Sequence, residues 1–191
     1  MFMAMTAMLI ASCSSDDVVS TNTGRAIDFR TSVGTRGTET TTDNITKFWV
    51  TAIDEAGANY FSKQEYKKEG EFFTSTPLYY WPVGTLNFFA YSPSETDLGA
   101  TVTINKDTKT LADFSPAAKI ADQKDFVTAT ASGTRADNET KGVKLTFAHQ
   151  LSQIEIKAKN TNTGYIYTVV GVRIGKPVSR GTFTFDTNKW T

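Results

Sequence analysis

The chain has 191 residues with 20 basic and 20 acidic side chains, so its formal net charge is zero. That length allows one sizeable domain, or a domain with a tail, and the charge balance leaves no basic footprint for nucleic acid. Thirty-one threonines stand against seven leucines, and 12% of the residues are aromatic; β-branched and aromatic side chains suit a pleated surface, so a mostly β protein is predicted.

The first segment is Phe2 to Ala11, FMAMTAMLIA, an apolar run with the length of a signal-peptide core and too short to span a bilayer. Ala11 and Ser12 stand just before Cys13, the only cysteine of the chain. One cysteine makes no internal disulfide and no cysteine-built zinc site. Its surroundings instead resemble a bacterial lipobox, in which a peptidase cuts before the cysteine and acyl chains such as palmitate are attached to it. Each buried acyl CH₂ contributes about 0.8 kcal/mol, so several chains anchor a domain to a membrane. The competing readings are an ordinary signal peptide with an incidental cysteine, or a buried first strand. No Lys or Arg precedes Cys13, the first being Arg25; a start further upstream would supply the missing positive region. The SSDD that follows Cys13 resembles the acidic export tag of Bacteroidetes surface lipoproteins. The expected division is a signal peptide over 1–12, a flexible tether over 13–24 and a β domain over 25–191.

AIDFRTSV then sets Ile27, Phe29, Thr31 and Val33 on one side of a period-2 strand, followed by the polar GTRGTETTTDN. Further strands are predicted in ITKFWVTAID, ending at the turn EAGAN, and in a hairpin of NYFSKQEYKKEG and EFFTST around Gly70. TLNFFAYSP alternates Leu86, Phe88 and Ala90 and stops at Pro93; ATVTINKDTKT alternates Val102 and Ile104; KDFVTATAS stops at Gly133. In GVKLTFAHQLSQIEIKAKN, Val143, Leu145, Phe147 and His149 share one face, while Ile154, Ile156 and Ala158 have the opposite parity. That change of phase implies a bulge or tight turn near Gln150. YIYTVVGVRIGKP and GTFTFDTNKW complete the series. No amphipathic helix of ten residues or more is predicted, and short strands with polar turns point to a β-sandwich.

An enzyme is not expected. His149 is the sole histidine and lies in phase with core residues, which favours a hydrogen-bonded structural role over a catalytic triad. Carboxylates are scattered, NKDTK lacks calcium-loop spacing, and the glycines punctuate turns rather than cradle phosphate. A glycosidase pair could still assemble in space. No metal site and no cofactor is implied. In PLYYWP, Tyr79, Tyr80 and Trp81 could stack on sugar rings, but neighbouring aromatics in a strand face opposite ways, so at least one belongs to the core. Surface glycan binding through these rings, or through Trp49, is the alternative function.

PLYYWPVGTLNFFAYSP and GVKLTFAHQLSQIEIKAKN together resemble the fimbrillin family of Bacteroidales, from about Ile27 to Trp190. The resemblance implies a transthyretin-like β-sandwich with Greek-key-type connections, followed in the family by a second sandwich domain. That domain is missing from this chain, which reads as a truncated frame. It also implies an outer-membrane, surface-exposed lipoprotein that serves as pilus subunit or adhesin. In many members an Arg-specific protease cuts an exposed loop, the first strand departs with the lipid anchor, and another subunit's strand fills the groove. Fitted to this sequence, AIDFRTSV is the departing strand and TRG the cut loop, with Arg36 the site. Arg25 precedes the strand and Arg30 lies within it, so both fit less well. The implied partners are other fimbrillin-type subunits, the outer membrane and the protease.

Overall fold

The computed structural model describes residues 25–34, 40–162 and 164–191. The elements in chain order are β1 (Phe29–Val33), β2 (Lys47–Asp54), β3 (Asn59–Glu69), β4 (Phe72–Ser75) and β5 (Thr85–Ser92). A four-residue helix α1 (Glu95–Leu98) leads to β6 (Thr101–Ile104), β7 (Lys109–Phe114) and β8 (Val127–Thr134). Helix α2 (Arg135–Asn138) leads to β9 (Val143–His149), and β10 (Gly181–Thr184) and β11 (Lys189–Trp190) end the chain.

Alternation along these strands builds two cores. In β2, Phe48, Val50 and Ala52 point one way and Trp49 and Ile53 the other; in β5, Leu86, Phe88 and Ala90 oppose Phe89 and Tyr91. Both strands are therefore buried on two faces, because successive side chains leave a strand on opposite sides. The first face turns inward into a closed sheet of order β1-β4-β3-β2-β5-β8-β9. The second faces a four-stranded sheet of order β11-β10-β7-β6, which contributes Val102, Leu111, Phe114 and Phe183. The all-β, two-sheet, sandwich-like expectation holds.

Local chemistry fixes the crossings between the sheets. Ser94 caps α1 by accepting from Asp97 N–H, and Gly99 ends the helix at φ +60°, a conformation that glycine adopts without a Cβ clash. Glu95 then accepts from Val102 N–H at 2.6 Å and pairs with Lys63 at 3.0 Å, which joins the start of β6 to β3.

Most predicted strands form. The exceptions are the two apolar stretches after β9. The described residues of 151–180 belong to no strand, and Ile154, Ile156, Tyr165, Ile166, Val170 and Val172 are exposed. Alternation makes a segment competent for a ladder, but a ladder needs a free edge beside it, and β9 already lies between β8 and β1. At the expected change of phase, Gln150 N–H still donates to Phe126 O at 2.8 Å, in register with β8, and the chain bends at Leu151.

Candidate functional site

The feature that sets this barrel apart is the strand that closes it. β1 runs parallel to β9 over five registered positions, from Phe29 opposite Val143 to Val33 opposite Phe147. On its other side it pairs with β4 at a single position, Phe29 opposite Phe73. The seam between β1 and β4 is therefore short, and what holds β1 is the ladder to β9, its inner face and its two ends.

Ile27 is 1% exposed and Phe29 0%. The Phe29 ring meets Tyr66 at 4.7 Å, Phe88 at 5.2 Å and Phe48 at 5.9 Å, each edge to face, the arrangement that the ring quadrupoles favour. Thr31 and Val33 are half-buried, and Val33 packs against the same core. Beneath them the Tyr66 hydroxyl is enclosed, and Ser75 Oγ, its neighbour in the next strand, is already donating to Pro77 O. Burial pushes the Tyr66 phenol well above its ordinary range.

Each end of the strand is clipped. At the start, Ile27 N–H donates to Tyr79 O at 2.7 Å, Arg25 N–H donates to Glu139 Oε1 at 3.1 Å, and Val143 N–H donates to Asp28 O at 2.9 Å. Glu139 is itself paired with Arg135 at 2.9 Å; that hydrogen bond first, and then the nearby charges, hold its carboxyl below the usual range. At the far end, Val33 N–H donates to Thr42 Oγ1 and Gly34 N–H donates to Phe147 O, both at 2.9 Å. His149 completes that clip, with Nδ1 at 2.7 Å from Asp125 Oδ2 and Nε2 at 3.1 Å from Gly34 O. The histidine is structural, as its phase in β9 implied. Its bridge to the last described residue before the TRG loop was not legible, because Asp125 and Gly34 lie 24 and 115 positions away.

Two electrostatic features oppose this hold. Asp28 is half-buried, and desolvation raises its carboxyl above the ordinary value although Arg25 and Arg30 pull it down. On the outer face, Arg30 stands directly opposite Lys144, two exposed cations side by side in the ladder.

The other candidate positions are placed as follows. Cys13 and Arg36 lie outside the described residues. Arg25 has its backbone tied to Glu139, and Arg30 is inside the β1 ladder. Trp81 is 4% exposed and sets its ring edge to face on Phe88 at 5.8 Å, so most of the ring is packed into the core. Tyr79 packs on Phe61 at 4.6 Å, and Tyr80 receives the Tyr60 hydroxyl hydrogen bond on its backbone carbonyl. Trp49 is half-buried with Lys47 Nζ above its ring. An open cleft of about 440 Å³ beside Trp81 is lined by Pro82, Val83, Thr134, Arg135 and Ala136. Among the described residues, no group of three or more His, Cys, Asp or Glu is placed to hold a metal.

Comparison with known proteins agrees with this architecture. No curated protein matches the chain. The crystal structure of a fimbrial protein from Bacteroides vulgatus shares the fold, with a TM-score of 0.60 and 19% identity over 87% of this chain and 60% of that one. The fimbrial anchor protein Mfa2 from Porphyromonas gingivalis aligns at a TM-score of 0.38 and 13% identity, over 66% of this chain and 50% of that one. The chain thus spans 60% or less of the length of these solved proteins. The model of the fimbrillin-like family matches residues 35–191, and the chain belongs to that family.

Proposed function

We propose that the protein is a surface lipoprotein of fimbrillin type, a pilus subunit or adhesin, acylated at Cys13 and assembled by strand exchange at the β1 position. Cleavage after Arg36 separates β1 from the rest of the barrel, and a strand from another subunit takes its place. The outer membrane holds the unprocessed form through the lipid, and an Arg-specific protease is the trigger.

One observation carries this reading: the strand that closes the barrel buries Ile27 and Phe29 completely yet meets β4 at one position only. Each fully buried apolar side chain contributes roughly 1.5–3 kcal/mol, so an empty groove is costly and a new strand with the same alternation recovers that burial. The freed β9 edge likewise regains its ladder partners, which is the energetic basis of strand addition. A head-to-tail contact of this kind does not close on itself and builds a fibre.

The test is Arg-specific proteolysis of the wild-type chain and of Arg36→Ala. Wild type is expected to lose its N-terminal segment and to form ladders that survive SDS without heating, and Arg36→Ala to do neither. Normal processing and ladders from Arg36→Ala would overturn the site. Radiolabelled palmitate incorporated by wild type and not by Cys13→Ser tests the anchor.

A further inference from the structure

Residues 153–159, QIEIKAK, leave β9 and run exposed along the surface. No backbone hydrogen bond joins 151–159 to any other described residue. The excursion is nevertheless tied down where it starts: Gln150 N–H donates to Phe126 O, and Trp190 Nε1 donates to Gln150 O, each at 2.8 Å. The segment is therefore presented from a fixed base. It has the alternation of a strand, with Ile154, Ile156 and Ala158 on one side and Glu155, Lys157 and Lys159 on the other. Ile154 is 65% exposed and Ile156 55%. Unpaired backbone groups beside an apolar stripe are a template for another strand.

We propose that this template is filled by a second copy of the same chain, the two segments pairing antiparallel about a two-fold axis through Ile156. The charge pattern selects this partner and this register. With Ile156 opposite itself, Glu155 stands against the partner's Lys157, Lys157 against the partner's Glu155, and Ile154 against the partner's Ala158. Opposite charges directly across a ladder stabilise it, and like charges oppose it. A parallel in-register pair would set Glu155 on the partner's Glu155 and Lys157 on the partner's Lys157. Antiparallel registers centred on Glu155 or Lys157 would likewise set a charge against its own copy. Within one segment, Glu155 and Lys157 already lie 3.1 Å apart, so both are on the face that meets the partner's charges. The contact is isologous and closes as a pair, unlike the exchange at β1. The two surfaces are separate, and this pairing does not depend on cleavage.

Sedimentation velocity of the full chain over a concentration series tests the proposal. A monomer–dimer equilibrium is expected. Glu155→Lys and Lys157→Glu should each weaken it about tenfold, since two equivalent charge pairs turn repulsive, and the double exchange should restore it. In a Cys13→Ser background, Ile156→Cys should form a disulfide-linked dimer under mild oxidation, because residues paired across a dyad bring their Cα atoms to about 4.5–5.5 Å. Gln153→Cys, also at an exposed position but opposite the partner's Lys159, should not. A monomer at every concentration would overturn the proposal, whether or not the segment takes up some other protein. So would a dimer indifferent to the charge reversals, or equal cross-linking at 153 and 156.

Discussion

Phe29 and Asp28 sit next to each other and act in opposite directions on the same strand. The Phe29 ring is enclosed by Tyr66, Phe48 and Phe88, so Phe29→Ala should remove about 3–5 kcal/mol, read from urea unfolding. Asp28 carries a carboxyl whose affinity for protons is higher in the folded state, chiefly through desolvation. The folded chain then binds more protons than the unfolded one in the window between the two values. Stability must therefore fall as pH rises out of the ordinary carboxylate range through the raised one. Asp28→Asn should remove this loss. Thermal midpoints of wild type and variant, measured from pH 3.5 to 7 in about half-unit steps, should diverge with rising pH, the variant being the more stable at neutrality. A constant difference across the series would show that Asp28 has no such role. The alternation of Ile27 and Phe29 was readable as an apolar face, but the neighbours that raise Asp28 were not, because burial is a property of the assembled barrel.

The element that decides the proposed behaviour is β1, held by the parallel ladder to β9 and scarcely by β4. Arg30 opposite Lys144 is a like-charge pair on its exposed face. Lys144→Glu should convert that repulsion into attraction worth about 0.2–1 kcal/mol. Hydrogen exchange should then slow at the β1 amides with little change at β2 and β5, whereas uniform slowing would indicate a general charge effect. Strand existence was legible wherever alternation coincided with turn residues, as in β5 before Pro93 and in the β3–β4 hairpin around Gly70. It failed for Ile154–Ala158 and Tyr165–Ile174, where the same alternation is present. Pairing partners come from distant chain segments, and alternation reports only that one face is apolar.

Two cores share the central strands β2 and β5, so the molecule is three layers of side chains and backbone rather than two independent lobes. Trp190 closes the outer core, with its ring 5.4 Å from both Phe114 and Phe183 and its Nε1 donating to Gln150 O. Trp190→Ala should cost about 3 kcal/mol and should open the excursion that begins after Gln150. Near-ultraviolet circular dichroism should lose the tryptophan contribution of that core, while β1 exchange stays unchanged if distant sites act independently. A matching loss of protection in β1 would mean that the two cores unfold as one unit.

The β class, most strand positions, the family resemblance and the apolar face of the first strand were all carried by residue order, because alternation and turn chemistry act over a few neighbouring positions. Assembly alone decided that β1 closes a barrel beside β9, that His149 and Glu139 clip its two ends, and that Trp81 is core rather than platform. It also decided that 153–159 is left without a backbone hydrogen-bond partner among the described residues. Each of these depends on which segments far apart in the chain come to lie side by side, and hydrogen bonding and burial between such segments exist only once the sheets have closed.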